Sequence, residues 1–210
     1  MGGLPVHVAK HSLPPVEVIE KLWALYVRAY RRVAQEAVSR EMLFRQEFDS
    51  ALSDPSNRLW VVWDGEAPVA MTLIATEAAA TRYVSRAFFE HHYPDRMARG
   101  EIHYVMWAVV DPQYVARGAI VHLARGGLAL EAEEGAFLVF DVPEVNQPSE
   151  RGGASGLLIR LARHVGEATL VPLGVQRFYA VDFSRSRAPS EGDDVPTDAE
   201  VRAYVPLARD

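Results

Sequence analysis

The sequence predicts an α/β protein in which helices cover both faces of a mixed, mostly antiparallel sheet with a central parallel pair of strands. Two stretches lead to this prediction. In RLWVVWDGEAPVAMTLIATE, two apolar runs flank Asp64-Gly65, a pair that suits a tight hairpin turn between antiparallel strands. Further along, the apolar run EIHYVMWAVV is followed by a helical pattern and then by a second apolar run, AFLVFDV. A strand–helix–strand order of this kind requires a parallel pair.

The first quarter of the chain predicts one short strand and two helices. The strand is expected around Val6 and Val8. The stretch VEVIEKLWALYVRAYRRVAQ repeats apolar residues at helical spacing, with charged residues opposite, and predicts an amphipathic helix. A second helix is expected to begin at Ser39 as its N-cap and to end before the turn at residues 54–57. Its predicted inward side chains are Phe44, Phe48 and Leu52.

The later elements follow the two apolar runs. Residues 77–100 predict helical stretches broken at Pro94 and Gly100, and residues 184–200 predict a polar loop before a last edge strand, VRAYVPLA. The remaining predicted elements are strands 58–63, 68–76, 101–110, 136–142, 168–173 and 176–183, with helices 119–134 and 153–165. The length favours a single domain over residues 1–210, with its core at about 15–183.

Composition narrows the classes of partner. The formal net charge of −6 disfavours a nucleic-acid partner, because phosphate binding needs a basic face. The sequence contains no cysteine, so thiolate metal sites and a cysteine nucleophile are excluded, and we expect no metal site. Neither a signal peptide nor an apolar stretch of membrane-spanning length is visible. We therefore expect a cytoplasmic protein without a nucleic-acid or membrane partner, and we leave open whether it forms a homo-oligomer.

The turn after strand 101–110 suits an anionic ligand. In DPQYVARGAIVHLARGGLAL, an Arg117-Gly118 pair precedes a helical apolar pattern. Backbone N–H groups at a helix start, aided by the helix dipole, bind a pyrophosphate without neutralising side chains. Ile120 would hold the phosphate away from these amides if it faced the loop. Its place in the apolar stripe of the helix favours an orientation into the core instead.

A second glycine-rich turn competes for the same role. In SERGGASGLLIRLAR, residues 151–156 also follow an apolar strand and precede a helix. Element order favours the loop at 115–120, whereas local composition favours the loop at 151–156. We give order more weight, because short glycine-rich matches arise easily by chance. The plainer interpretation of residues 151–156 is a linker into a helix.

Residues 15–183 resemble the GNAT superfamily of acyl-CoA-dependent N-acyltransferases. The cofactor motif of that family reads approximately V-x-P-x-x-[Q/R]-x-x-G-x-[G/A], and the segment that begins at Val110 stands in its place here. Among the defining loop positions only Gly118 matches. Val115 stands where the family usually has Gln or Arg, and Ile120 where it usually has Gly or Ala.

The resemblance implies a thioester co-substrate, acyl-CoA (acetyl-CoA or longer) or acyl-pantetheine. The cofactor-binding residues that it implies are Ala108, Val110, Val115, Ala116, Arg117, Gly118, Ala119 and Asn146. The tyrosine that often serves the family as proton donor is replaced by Ala162. A branch of the family that takes long acyl chains from carrier proteins tolerates weak pyrophosphate loops. An acyl carrier protein is therefore an alternative donor, and an apolar tunnel would be its signature.

A base that removes the amine's proton is expected on strand 101–110, because GNAT-like enzymes often take it from this strand. Alternate residues of a strand share a face. The residues grouped in this way are Glu101, His103, Val105, Trp107 and Val109. We predict Glu101 and His103 as catalytic residues, the alternative being two polar side chains at an exposed strand end. Tyr104 lies on the other face and is expected in the core.

The predicted function is transfer of an acyl group from CoA or carrier-protein pantetheine to an amine of a small molecule or peptide. Tyr179 and Asp182 are expected to border the acceptor groove, by the resemblance. The alternative is a catalytically inactive GNAT-like module that binds a ligand or a partner. Ala162 in place of the tyrosine and the partial match of the cofactor loop favour this alternative. In a third hypothesis, the protein binds pantetheine but catalyses decarboxylation or another reaction of the acyl group.

Overall fold

The structure is a computed structural model that describes residues 6–38, 42–146 and 153–180. The chain divides into two units, Met1–Leu173 and Gly174–Asp210. Of the second unit, the structure describes residues 174–180, which form neither helix nor strand. All elements below belong to the first unit. The single domain over residues 1–210 stays a prediction, and the predicted loop 184–200, edge strand VRAYVPLA and Asp182 lie outside the described residues.

Five strands form one mixed sheet, and their order in the sheet is their order along the chain. They are β1 Val6–His11, β2 Asn57–Asp64, β3 Ala67–Ala75, β4 Ile102–Val110 and β5 Phe137–Val139. Neighbouring strands are antiparallel from β1 to β4, whereas β4 and β5 are parallel. Gly65, with a φ of 58°, makes the predicted hairpin turn between β2 and β3. The predicted fold class is confirmed.

Six α-helices lie within the described residues. They are α1 Val16–Glu36, α2 Arg45–Ser53, α3 Arg86–His92, α4 Pro94–Ala98, α5 Ala119–Glu133 and α6 Gly153–Ala162. Pro94, predicted as a breaker, separates α3 from α4 and occupies the first position of α4. None of these helices is both long and apolar enough to cross a bilayer.

The larger core lies between one face of the sheet and helices α1 and α2. The rings of Tyr26 in α1, Phe48 in α2 and Trp107 in β4 meet with centroids 5.3 to 5.8 Å apart. The prediction that Phe48 and Leu52 point inward is confirmed, since both are buried. The same prediction for Phe44 is wrong, because α2 begins one residue later and leaves that side chain exposed as the N-cap.

Helix α5 covers the opposite face of the sheet and approaches it closely through two glycines. A Cβ on Gly126 would lie 2.7 Å from Cγ1 of Val8 and 3.4 Å from the ring of Trp60. A Cβ on Gly127 would make its nearest contact at 3.6 Å, also with the Trp60 ring. The first distance is a clash with a stiff β-branched side chain, and the second is an ordinary contact.

The two glycines should therefore respond oppositely to alanine. Gly127→Ala is expected to stabilise the protein by about 0.5–1 kcal/mol, because alanine is the better helix former and its methyl fits. Gly126→Ala is expected to destabilise it by about 1 kcal/mol or more, since the overpacking exceeds the same gain in helix propensity. Urea unfolding of the two variants measures both changes. A change of the same sign in both would contradict the close packing of α5.

The C-terminal strands are the main error of the sequence prediction. Residues 168–173 contain no strand, and neither do residues 176–180; residues 181–183 lie outside the described part. Pro172 and Gly174 interrupt this segment, and both weaken strand formation whatever the apolar content around them. The helix predicted at Ser39 is also wrong in its start, since residues 42–44 are not helical and residues 39–41 are not described.

Candidate active site

Strands β4 and β5 diverge soon after they begin. They pair only where Ile102–Tyr104 lies beside Phe137–Val139. Strand β4 continues to Val110, but no described strand lies on this side of it beyond Tyr104. The backbone N–H and C=O groups on that edge are left for a ligand to pair with, in the manner of an added strand.

A β-bulge lies in β4 near the point of divergence. Leu73 of β3 lies opposite Trp107, yet the next residue, Ile74, lies opposite Val105. Met106 is therefore an extra residue in the ladder. A bulge of this kind bends the strand and interrupts the alternation of side chains between the two faces.

The bulge overturns the predicted grouping of side chains on this strand. Trp107 and Val109 pack into the core with α1 and α2, whereas His103 contacts Glu131 of α5. The prediction that His103 shares a face with Trp107 and Val109 is wrong, because counting by twos fails across the inserted residue. Tyr104, predicted to lie opposite Trp107, is on the same side of the sheet as Trp107 and is buried as expected.

A cavity of about 510 Å³ occupies the gap between the diverging strands. Its walls come from β4, α1, α5, α6 and residues 140–143 after β5. Tyr30 of α1 lines it from one side of the sheet and Leu128 of α5 from the other, so the cavity passes through the sheet. The lining is mostly apolar, and Asp141 is the one charged side chain among the described residues that form it.

Trp107 contributes an unsatisfied hydrogen-bond donor to this region. It lines the cavity, and its buried Nε1 has no hydrogen-bond partner in the described part of the chain. A buried donor without an acceptor costs about 1–3 kcal/mol. Its backbone carbonyl, in contrast, accepts a 2.8 Å hydrogen bond from the hydroxyl of Thr72.

The loop between β4 and α5 presents backbone amides beside the cavity. Residues Val115–Arg117 form a single 3-10 turn, and Gly118 follows as the N-cap of α5 with a φ of 77°. A Cβ on Gly118 would meet nothing within 4 Å, so that face of the loop is open. The carbonyl of Gly118 is the first acceptor of the helix. The backbone N–H groups that precede the first hydrogen bond of the helix, such as that of Ile120, are therefore available to bind an anion.

The Ile120 side chain does not block the backbone N–H groups of the loop. It packs against the buried cluster of Val62, Val69 and Leu123 under α5, as its place in the apolar stripe predicts. It also forms part of the cavity wall. Its side chain therefore adds apolar surface to the cavity.

Charged groups hold the two ends of the loop. Asp111, buried directly after β4, accepts hydrogen bonds from Nε and Nη2 of Arg28 in α1 at 2.9 and 2.6 Å. The Tyr114 hydroxyl donates a 2.7 Å hydrogen bond to Asp64, which raises the pKa of Tyr114. Arg117 lies over the Tyr114 ring at 5.1 Å and leaves its guanidinium exposed at the rim.

Solved acetyltransferase structures share this architecture. An aminoglycoside acetyltransferase from an uncultured soil metagenomic sample, crystallised with sisomicin, matches with a TM-score of 0.50 and 11% identity, over 84% of this chain and 97% of that one. A candidate acetyltransferase from Pyrococcus horikoshii matches with a TM-score of 0.52 and 13% identity, over 65% of this chain and 80% of that one. No protein-family model matches the sequence, and no curated protein matches it.

The chain has the GNAT fold. The mixed sheet, the parallel β4–β5 pair and the helices on both faces are the features on which this likeness depends. At these identities the likeness extends to the fold alone.

Within this GNAT fold, most of the predicted cofactor residues lie on the cavity wall or in the turn that contains Val115. Those on its wall are Ala108, Val110, Val115 and Asn146. Ala116, Arg117 and Gly118 form the adjoining turn, whereas Ala119 is buried under α5. Their role in binding stays a prediction. The rival glycine-rich turn also reaches the cavity through Ala154, and its residues 151–152 lie outside the described part.

Glu101 does not line the cavity. It precedes β4, and its carboxylate accepts hydrogen bonds from Arg99 at 2.5 and 3.0 Å and from Arg96 at 3.2 Å. The Arg99 hydrogen bond holds the pKa of Glu101 below its ordinary value, which makes it a poorer base. Its predicted catalytic role stays a prediction, and the geometry favours an ion-paired strand end.

His103 does not line the cavity either. It is buried, and its Nδ1 is hydrogen-bonded to the equally buried Glu131 of α5. The other carboxylate oxygen of Glu131 accepts a 2.9 Å hydrogen bond from Arg58 of β2, which also contacts Glu134 at 2.6 Å. This network joins β4, β2 and α5. The geometry favours a structural role for His103 over the predicted catalytic one.

One charged residue that does reach the candidate site, Asp141, was not singled out from the sequence. Asp141 lines the cavity, and its Oδ1 accepts a 2.7 Å hydrogen bond from the Tyr104 hydroxyl. The signal available was a lone acidic residue near the end of the apolar run AFLVFDV. Such a residue is costly in a buried strand and therefore marks a point where the strand opens.

Proposed function

We propose that the protein transfers an acyl group from acyl-CoA to an amine. The observation that carries the proposal is the gap between β4 and β5. It combines a free strand edge, an apolar cavity and the amide-rich start of α5 at one place. The acetyltransferase names of the structures that share the fold support the same class of reaction.

Each part of the gap has a task in this reaction. The free edge of β4 at residues 108–110 pairs with the pantetheine arm through backbone hydrogen bonds. The first amides of α5, with Arg117 at the rim, bind the pyrophosphate. The amine nitrogen attacks the thioester carbonyl carbon, the C–S bond breaks, and CoA leaves as the thiol. An apolar cavity keeps water from competing with the amine.

The lining of the cavity favours acyl groups longer than acetyl. The wall is apolar from α5 and α6 through to Tyr30 and Val33 of α1, and buried apolar area contributes about 25 cal/mol per Å². Because Val115 stands where the usual motif has Gln or Arg, the loop binds pyrophosphate more weakly than the usual motif does. A carrier-protein pantetheine therefore stays the alternative donor. The amounts of free thiol released from acetyl-, hexanoyl- and decanoyl-CoA with a panel of amines would rank the donors.

Gly118→Ala should weaken CoA binding by about 10-fold or more, because the added Cβ keeps the phosphate from the amides, each worth about 1.5–3 kcal/mol to a charged partner. Gly135→Ala is a matched control. Gly135 also has a left-handed φ, 66°, and open space where a Cβ would lie, but it is at the other end of α5. Both variants should lose about 1–2 kcal/mol of stability. Equal CoA affinity in the two variants would remove this loop from the pyrophosphate site.

The test of the proposed function is binding followed by turnover. CoA and its acyl derivatives should raise the melting temperature, by an amount that follows ligand concentration. Amide formation with at least one amine should then release thiol. If no CoA derivative raises the melting temperature at millimolar concentration, the proposal is contradicted.

A binding module is the second candidate function. It is favoured by Ala162 in place of the usual proton donor and by the absence of Glu101 and His103 from the cavity wall. CoA binding that is saturable but gives no amide with any amine would support this candidate over the enzyme.

A further inference from the structure

Asp111 holds the turn that leads into α5. Its Oδ1 accepts a 3.0 Å hydrogen bond from the backbone N–H of Gln113, and its backbone carbonyl accepts one of 2.8 Å from the N–H of Tyr114. The Tyr114 carbonyl in turn accepts a 3.0 Å hydrogen bond from the N–H of Arg117. A short series of hydrogen bonds therefore runs from Asp111 to the residue before the N-cap of α5.

The other carboxylate oxygen of Asp111 belongs to an ion pair with α1. This oxygen, Oδ2, accepts hydrogen bonds from both Nε and Nη2 of Arg28, at 2.9 and 2.6 Å. The Asp111 side chain is 10% exposed, whereas that of Arg28 is 51% exposed. Water and salt screen a nearly buried charge poorly. The adjacent guanidinium therefore provides most of the compensation for the charge of Asp111.

The negative charge of Asp111 acts on the turn itself. The hydrogen bond to Asp64 is the main cause of the raised pKa of Tyr114, and the charge of Asp111 adds to it, while that of Arg117 opposes it. Two carboxylates thus act on this turn, and the guanidinium groups of Arg28 and Arg117 oppose them. If Arg28 were lost, negative charge would exceed positive charge among these four side chains, and a phosphate bound at the turn would be repelled.

We propose that Arg28 is a positioning residue for the pyrophosphate: it compensates the charge of Asp111, so that Asp111 holds the turn without repelling the ligand. This inference rests on the proposed function, in which the same turn binds the pyrophosphate of acyl-CoA. The two partners then differ in role. Loss of the Arg28 charge leaves a negative charge beside the ligand, whereas loss of the Asp111 charge leaves a positive one. A purely structural pair would weaken binding whichever partner is changed.

The test is calorimetric titration of CoA and of ADP into the wild type and the variants. ADP contains the same diphosphate group as CoA but lacks the pantetheine arm. We expect Arg28→Gln to bind both ligands about 10-fold more weakly than the wild type, and Asp111→Asn to bind them at least as tightly. The double variant and Arg28→Lys should come within about 3-fold of the wild type. Arg31→Gln is the matched control, because Arg31 is an exposed arginine of the same helix that does not line the cavity. It should bind both ligands as the wild type does.

Three results would overturn the inference: wild-type affinity in Arg28→Gln, equally weak binding in Asp111→Asn, or a double variant as weak as Arg28→Gln. The outcomes also separate this inference from the proposed function. If ADP binding depends on Arg28 while no CoA derivative binds or reacts, the role of the pair stands and the acyltransferase proposal fails. If acyl-CoA binds and reacts without dependence on Arg28, the acyltransferase stands and the inference fails. No binding of either ligand to the wild type at millimolar concentration would overturn both.

Discussion

Ala108→Phe is expected to lower the affinity for acyl-CoA by at least about 100-fold, a loss of about 2.7 kcal/mol. Ala108 lies in β4 between Trp107 and Val109, lines the cavity and is exposed to it. A phenyl ring at this position would fill the passage that the pantetheine arm is proposed to take. Calorimetric titration with CoA and decanoyl-CoA measures the change.

The same substitution at Ala67 is a suitable control. Ala67 is also an exposed alanine of a strand, at the start of β3, and it does not line the cavity. Both variants should keep their fold, since substitutions at exposed positions usually change stability by less than about 0.5 kcal/mol. Undiminished CoA affinity in Ala108→Phe would place the ligand elsewhere.

His103→Ala is expected to destabilise the protein by about 3 kcal/mol. The substitution removes a hydrogen-bond partner of Glu131 and leaves a buried carboxylate held by Arg58 alone, and a buried carboxylate that loses such a partner is costly. For a chain of this length the melting temperature should fall by about 6–12 °C. Urea unfolding and thermal scans would measure the two changes.

The kinetics of this variant separate the structural role from the predicted catalytic one. Loss of a general base lowers turnover by about 10²- to 10⁴-fold. The burial of His103 away from the cavity leads us to expect turnover within about 3-fold of the wild type, measured well below the melting temperature. Glu101→Gln should leave both stability and turnover nearly unchanged. A loss of 100-fold or more in either variant, with the fold intact, would restore that residue to the mechanism.

The sequence was sufficient where one local pattern determines the structure. The Asp64-Gly65 turn between apolar runs determined the β2–β3 hairpin, and the strand–helix–strand order determined the parallel pair. Helix α1 followed directly from its apolar stripe. In each of these cases the signal lies within a short window and does not depend on distant residues.

The candidate site could be predicted only in part, because its key features depend on contacts between distant residues. No feature of the apolar sequence around Met106 indicates the bulge, yet the bulge determines which side chains share a face of the sheet. The partner of His103 is Glu131, on the following helix, and only the folded structure brings the two together. The cavity passes through the sheet because β5 is short, and that length cannot be read from AFLVFDV.

The central claim is that an acyl-CoA lies along the free edge of β4 with its pyrophosphate at the start of α5. Amide hydrogen exchange, with and without saturating acyl-CoA, tests this claim most directly. We expect slower exchange at residues 105–110 and at the first turn of α5 when the ligand is bound, with little change in β1 and β2. Unchanged exchange in β4 at saturation, or protection confined to the residues around 151–156, would contradict it.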